Sequence, residues 1–202
     1  LDCPGVINKV VNSIADEGEI GRLFDELERE GVRIDGLVYG AAIFNRFETL
    51  EQMTAEKWHE ILDVNVVGSF LWTREFAGWC RKSDRPGSVV NITSQAAFTG
   101  GYGGVIPYAS SKGALVSCTK GLARDLATHD IRVNCVAPGF IETGAMRGNL
   151  DEERMRFFYE KVPMGRLGRV EEVASVVEFL LSSSSSYLTG TTIDVTGGQL
   201  MQ

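Results

Sequence analysis

The chain patterns as an α/β protein, a parallel β-sheet with helices packed on both faces. Three observations predict this. Short apolar runs rich in β-branched residues alternate with longer amphipathic stretches, the rhythm of strand–helix–strand units. The runs at 35–40, 87–93 and 131–137 are apolar enough for strands buried on both faces, as in a sheet sandwiched between helices. The length of 202 residues, with 44% hydrophobic and 23% charged side chains, suffices for one sizeable core.

Taken in order, strands are expected at residues 6–13, 35–40, 87–93, 131–137 and 191–195. The helix over 17–30 ends at Gly31, a residue suited to the left-handed turn that closes a helix. The next starts at Thr54, whose hydroxyl can cap it, with Met53 and Trp58 at the flanking apolar positions, and runs to about Cys80. A third opens near Pro107, whose missing N–H is harmless in a first turn, and continues to about His129. Tyr108, Lys112, Leu115, Thr119, Leu122 and Leu126 share its inner stripe. A fourth covers 170–181. The serine run 182–186 has the composition of a linker but lies too close to the last strand to divide domains, so it reads as a loop and residues 1–202 as one domain.

Twenty Lys and Arg against 27 Asp and Glu leave a net charge of -7, which lacks the electrostatic footprint of a nucleic-acid binder. No apolar run approaches the ~20 residues of a membrane helix, and the first residues lack a secretory signal pattern. A cytoplasmic protein without membrane or nucleic-acid partners is expected. Cys3, Cys80, Cys118 and Cys135 form no C-x-x-C pair and read as buried free thiols, and His59 and His129 stand in no metal-ligand spacing, so no metal site is expected.

In parallel sheets, ligands bind beyond the carboxyl ends of the strands, where helices begin with free N–H groups. Three segments lie there: Tyr39-Gly40-Ala41-Ala42, Thr93-Ser94 with its glycine-rich continuation, and 138–143. Tyr108 and Lys112, four apart on one helix, share a face, and a neighbouring cation favours phenolate. A tyrosine so placed can act as acid or base near neutral pH. The bland reading is a half-buried Tyr beside a snorkelling Lys. Ser94 at a strand end and Asn65, an amide inside an apolar run, favour the functional one. Asn65 either bonds a local carbonyl or orders a water in a proton path.

These residues resemble the short-chain dehydrogenases/reductases from about Asp16 to the end. The segment 107–114, with Tyr108, Ala109, Ser110, Ser111 and Lys112, looks like that family's Y-x-A/S-A/S-K-x-A segment, preceded by the strand that carries Ser94. Residues 131–139, with Arg132, Val133, Asn134, Pro138 and Gly139, look like its R-V-N strand and P-G turn. Arg166-Leu167-Gly168-Arg169, then Leu188-Thr189-Gly190 and Gly197-Gly198, follow the family's closing pattern. The resemblance implies a Rossmann-like doubly wound sheet and hydride transfer between NAD or NADP and a small carbonyl or secondary alcohol. It implies that Asn65, Ser94, Tyr108 and Lys112 are catalytic. Tyr108 would exchange the proton, Ser94 would bond the substrate oxygen, Lys112 would lower the Tyr108 pKa and hold the nicotinamide ribose, and Asn65 would support a water. Gly40, Ala41, Pro138, Gly139, Ile141 and Thr143, with Tyr108 and Lys112, would contact the cofactor, Thr143 at the carboxamide.

The resemblance also has gaps. The family opens with a strand, a T-G-x-x-x-G-x-G phosphate loop and a helix, and the 202 residues contain neither that spacing nor G-x-G-x-x-G. The first strand–helix units are therefore expected to be missing, with Leu37 and Val38 on an open sheet edge and the cofactor preference unreadable. Tyr39-Gly40-Ala41-Ala42 stands where the family shows N-N-A-G, and Ser13 where it often has an Asp facing the adenine. A non-catalytic binding or scaffold protein that has lost the dinucleotide is the alternative. The segment 145–163 sits where the family covers its substrate. Phe157 and Phe158, with Phe98, Tyr102 and Phe140, would either line a hydrophobic substrate pocket or pack on each other. A tetramer or dimer through the long helices and last strand is implied, with Trp72, Phe76 and Trp79 as interface residues.

Overall fold

The computed structural model describes residues 9–143 and 152–201. Four parallel strands form one sheet in the spatial order β1 (Gly36–Tyr39), β2 (Gly87–Ile92), β3 (Ile131–Pro138) and β6 (Thr192–Val195). A second, two-stranded ladder joins β4 (Ile141–Glu142) to β5 (Gly168–Arg169). Parallel neighbours need long crossovers, and helices supply them: α1 (Glu17–Arg29) precedes β1, α2 (Ala55–Leu62) and α3 (Ser69–Lys82) lead to β2, and α5 (Ile106–Leu126) leads to β3. Short α4 (Ala96–Thr99) follows β2, and α6 (Glu152–Lys161) and α7 (Val170–Leu181) complete the set.

The expected layers are present. On one face Ile20 and Phe24 of α1, Leu71 and Phe76 of α3, and Ala123 and Leu126 of α5 bury Val89, Ile131 and Val133 of the sheet. On the other, α7 packs Val173, Val176 and Leu180 over Val90 and Val136. The odd and even residues of each strand thus serve opposite faces, as a period of two requires. β1 pairs only with β2 among the described residues, and Val38 is 45% exposed at that edge, as the sequence leads one to expect.

The strand expected at 6–13 is not found: residues 9–13 carry no ladder, and residues 6–8 lie outside the described part. Side chains capture this segment instead. Lys9 reaches Glu26 and Glu30 at 2.7 Å each, and Glu19 accepts from the Asn12 N–H at 2.6 Å and the Asn12 amide at 2.7 Å. Ser13, expected at the adenine, is used locally, its hydroxyl accepting from Ala15 N–H at 3.3 Å. Asp16 then caps α1 by accepting from Glu19 N–H.

The single helix expected from Thr54 to Cys80 is interrupted. Thr54 does cap it, but residues Asp63–Gly68 form a π-helical turn between α2 and α3. The cause is a neighbour remote in sequence: the Tyr39 hydroxyl donates to Val64 O at 2.5 Å, and Gly68 has no Cβ to collide with that hydroxyl. Such wide turns recur at functional sites, and this one carries Asn65. The serine run is a fixed turn rather than a linker. Arg132 donates to the carbonyls of Leu180, Ser182, Ser185 and Leu188 at 2.9 to 3.3 Å.

Three residues expected at an oligomer interface lie against this chain's own α1. Phe76 is fully buried in the core, and Trp72 and Trp79 pack on Phe24 with ring centroids 5.9 and 6.1 Å apart. Of the cysteines, Cys80 and Cys135 are buried free thiols and Cys118 is half-buried, while Cys3 lies outside the described residues.

Candidate active site

The ends of β2 and β3 are stitched together just beyond the sheet. Thr93 N–H donates to Val136 O at 2.8 Å and Gln95 N–H to Pro138 O at 3.0 Å, so Ser94 and the Pro138-Gly139 turn leave the strands side by side. They open onto a cleft of about 1750 Å³ that Ser94, Tyr108, Pro138, Gly139, Ile141 and Thr143 all line. Gly40 and Ala41 follow β1 without lining it, while Ala42 does.

Tyr108 enters from the first turn of α5, where Pro107 sits without loss of a helix bond. The Phe44 ring stands edge-on to it, centroids 4.9 Å apart. Lys112 follows one turn later and is 2% exposed. Its Nζ donates to Ile92 O at 2.7 Å and lies 5.7 Å from the Tyr108 ring centroid, while its own carbonyl accepts from the Thr93 hydroxyl at 2.9 Å. An ammonium carries three donors, and only one bond, to Ile92 O, is found here. Burial pushes Lys112 down to about 8, partly offset by Cys135.

Burial also raises the Tyr108 phenol above its usual 10.0, opposed by the hydrogen bond with Ser94. The expected fall in the Tyr108 pKa is therefore not found in the cofactor-free chain: desolvation outweighs the Ser94 hydrogen bond. Ser94 is held in turn, its Oγ accepting from Ala96 N–H at 3.1 Å.

Asn65 is fully buried and tied on both sides of its amide. Oδ1 accepts from Ile43 N–H at 2.7 Å, and Nδ2 donates to Ile43 O at 3.1 Å and to Ser111 Oγ at 2.9 Å. Ser111 passes its own proton to Tyr108 O at 2.7 Å. The amide thus locks the loop after β1 to the turn of α5 that presents Tyr108. Beneath it, Ser69 donates to Asn91 at 3.0 Å, and Asn91 and Cys135 both donate to Thr119, at 2.9 and 3.1 Å.

A family model described as Enoyl-(Acyl carrier protein) reductase matches residues 5–199. The 3-oxoacyl-(acyl-carrier-protein) reductase of Aquifex aeolicus is 42% identical over 186 residues, 92% of this chain and 73% of that protein. The chain belongs to the short-chain dehydrogenase/reductase family. A (3R)-3-hydroxyacyl-CoA dehydrogenase of Canis lupus familiaris is 35% identical over 188 residues, 93% of this chain and 72% of that one. The crystal structure of a gluconate 5-dehydrogenase from Burkholderia cenocepacia, in complex with NADP and tartrate, superposes with a TM-score of 0.86 at 31% identity, covering 92% of this chain and 72% of that chain. The chain is an NAD(P)-dependent oxidoreductase acting between C=O and CH–OH groups, and the scaffold alternative is not favoured.

Short-chain dehydrogenase/reductase chemistry needs room for a nicotinamide ribose, and these residues fit one. Lys112 has donor capacity beyond its bond to Ile92, the Ser94 and Tyr108 hydroxyls face the same cleft, and Gly40 has only Ile92 Cγ1, at 3.9 Å, near the site of a Cβ. The family's N-N-A-G asparagine is replaced by Tyr39, which turns inward to the π-helical turn, its phenol driven to about 12 by burial. The aromatic residues do both things expected of them. Phe140 packs on Phe158 at 4.4 Å and on Tyr102 at 5.9 Å, and all three line the cleft with Phe157. Phe98 is not among the lining side chains, and residues 145–151 of the expected substrate-covering segment lie outside the described residues.

Phe44 and Arg46 also line the cleft, and the sequence reading passed over both. Their signal was an aromatic-flanked basic residue directly after a strand end, Ile43-Phe44-Asn45-Arg46-Phe47.

Proposed function

We propose that this chain interconverts a small carbonyl compound and its secondary alcohol, with Tyr108 as the acid and base. The convergence of Ser94, Tyr108 and Lys112 at the joined ends of β2 and β3 is the observation that supports it most directly. Bound NAD or NADP supplies or accepts the hydride. Tyr108 gives its phenolic proton to the substrate oxygen in reduction and takes it back in oxidation, while the Ser94 hydroxyl bonds that oxygen and orients it. Lys112 offers its remaining N–H groups to the ribose hydroxyls, and its charge stabilises the phenolate that forms. Asn65 is a positioning residue. It fixes the turn carrying Tyr108, and the second lone pair of its Oδ1 supports a water that returns a proton toward Lys112. Pro138, Gly139, Ile141 and Thr143 would wall a bound nicotinamide, with the Thr143 hydroxyl offered to its carboxamide, and Gly40 and Ala41 would contact the cofactor from beyond the lining of the cleft.

Residues 1–202 are read as one Rossmann-like domain. Copies associate as a dimer or tetramer. Exposed Val67 and Phe70 on the outer side of the π-helical turn and α3 support that reading, and light scattering at micromolar concentration measures it. Among the described residues no helix is long and apolar enough to cross a membrane, in keeping with a cytoplasmic site of action.

A fluorescence titration with NADH and, separately, NADPH tests the whole reading. Micromolar binding of either is the expected result and fixes the cofactor preference. Absence of binding to well-folded residues 1–202 means that this stretch alone does not hold the dinucleotide, as expected of a piece of a longer enzyme or of a non-catalytic relative in which Ser94, Tyr108 and Lys112 are inherited rather than used.

A further inference from the structure

One charged side chain at the Tyr108 end of the cleft has no part in the proton chemistry above. Arg46 lies two residues beyond Phe44, in a loop pinned at both ends. Asn65 holds Ile43 N–H at 2.7 Å, and Phe47 N–H donates to Gly104 O at 2.9 Å. The Arg46 guanidinium reaches over Gly103, its Nη2 3.1 Å from the point where a Cβ would stand. Among the described residues no carboxylate pairs with it, whereas the half-buried Arg74 and the exposed Arg166 hold carboxylates at 2.8 and 2.7 Å. Among the described residues Arg46 and Glu178 are the charged ones that line the cleft, and Glu178 belongs to α7. Around Arg46 the wall is aromatic and neutral. A guanidinium with its fork unpaired in such surroundings recognises carboxylates in bidentate geometry.

We propose that Arg46 is the anion-binding residue of this cleft and that the substrate is a small oxo or hydroxy carboxylic acid. Its carboxylate rests on Arg46 and its reacting oxygen on Tyr108 and Ser94. The Phe44 ring stands against Tyr108, Arg46 follows two residues later, and Arg46 and Tyr108 line the same cleft. The proposal rests on the carbonyl-reductase reading of the same site.

The test compares 4-oxopentanoate and 5-oxohexanoate with their methyl esters, using whichever reduced cofactor binds. For the unaltered chain, kcat/KM for the acid is expected to exceed that for its ester about tenfold or more, the scale of one charge-assisted pair. In Arg46→Met that ratio falls to near one, chiefly through KM, and Arg46→Lys restores part of it. An acid-to-ester ratio near one in the unaltered chain, or a ratio that Arg46→Met leaves in place, overturns the proposal while the reductase reading stands. Binding of 4-oxopentanoate to cofactor-free protein by ligand-detected NMR gives a second readout. Saturation transfer lost in Arg46→Met and weakened by salt supports the anion site even if no turnover occurs, in which case the reductase reading fails alone. Transfer that survives Arg46→Met overturns it.

Discussion

Replacing Lys112 by methionine should flatten part of the pH dependence of stability. In the folded chain the Lys112 ammonium titrates at about 8 rather than 10.5, because burial disfavours its charge. Between those two values the unfolded chain holds a proton that the folded chain has released, so stability rises with pH across the window. Below about 8 the folded state carries the full cost of the buried charge. From pH 8 to pH 10 that contribution is on the order of 3 kcal/mol, at about 1.4 kcal/mol for each unit. Lys112→Met keeps the length of the side chain and removes the charge, but it leaves Ile92 O without its 2.7 Å donor, a loss of about 1 to 3 kcal/mol. At pH 7 the two effects nearly offset. The firm quantity is the difference between the two proteins: relative to Lys112→Met, the unaltered chain should gain about 2 to 3 kcal/mol from pH 7 to pH 10. Urea unfolding of cofactor-free protein, followed by tryptophan fluorescence at each pH, measures it, and the titration of groups not coupled to Lys112 cancels in the difference. Parallel stability profiles would refute the assignment of a depressed Lys112.

Tyr108→Phe removes only the phenolic hydroxyl from a ring that Phe44 keeps in place, so turnover should fall about 10² to 10⁴-fold while NADH or NADPH affinity stays within a few-fold. Turnover within tenfold of the unaltered chain would take Tyr108 out of the mechanism. Gly68→Ala should destabilise the chain by about 1 to 3 kcal/mol, because the added methyl meets the Tyr39 hydroxyl and comes within 3.2 Å of Ile14 O. Tyr39→Phe in the same chain should recover part of that loss, and strictly additive unfolding energies for the two changes would show that the contact is not what shapes the π-helical turn.

The elements that the sequence announced are those set by local chemistry. Thr54 caps where a threonine before an amphipathic run should, and the 170–181 helix falls at its expected bounds. The site was legible because Ser94, Tyr108 and Lys112 occupy ordered positions on a strand end and one helix face. What stayed hidden depends on partners far away in the chain. Val10 and Val11 look like strand residues, but a strand needs a ladder, and Lys9 and Asn12 tie that segment to α1 instead. The apolar spacing of Trp72, Phe76 and Trp79 marks a face that must be covered. It does not say what covers it, and α1 covers part of it through Phe24, burying Phe76 and leaving Trp72 and Trp79 half-buried. The π-helical turn follows from the hydroxyl of Tyr39, 25 residues before Val64.

The distribution of satisfied and unsatisfied polar groups separates scaffold from chemistry. Asn65, Asn91, Thr93, Ser111 and Thr119 are all buried and all bonded within the protein, as buried polar groups must be. Their bonds cross between α2–α3, the sheet and α5, so they set the relative positions of the loop after β1, the end of β2 and the first turn of α5. Among the described residues capacity is left over at the cleft and behind its wall, where the buried Gln199 amide beside Gly139 also has no partner. Lys112 has more donors than its bond to Ile92 uses, Ser94 bonds Tyr108 and Ala96 with lone pairs to spare, and the Arg46 fork faces no carboxylate. Lys112 is fixed by Ile92 O and Ser94 by Ala96 N–H. A substrate oxygen and an anion would therefore meet groups already placed for them, and the orientation that the reaction needs is supplied by folding before anything binds.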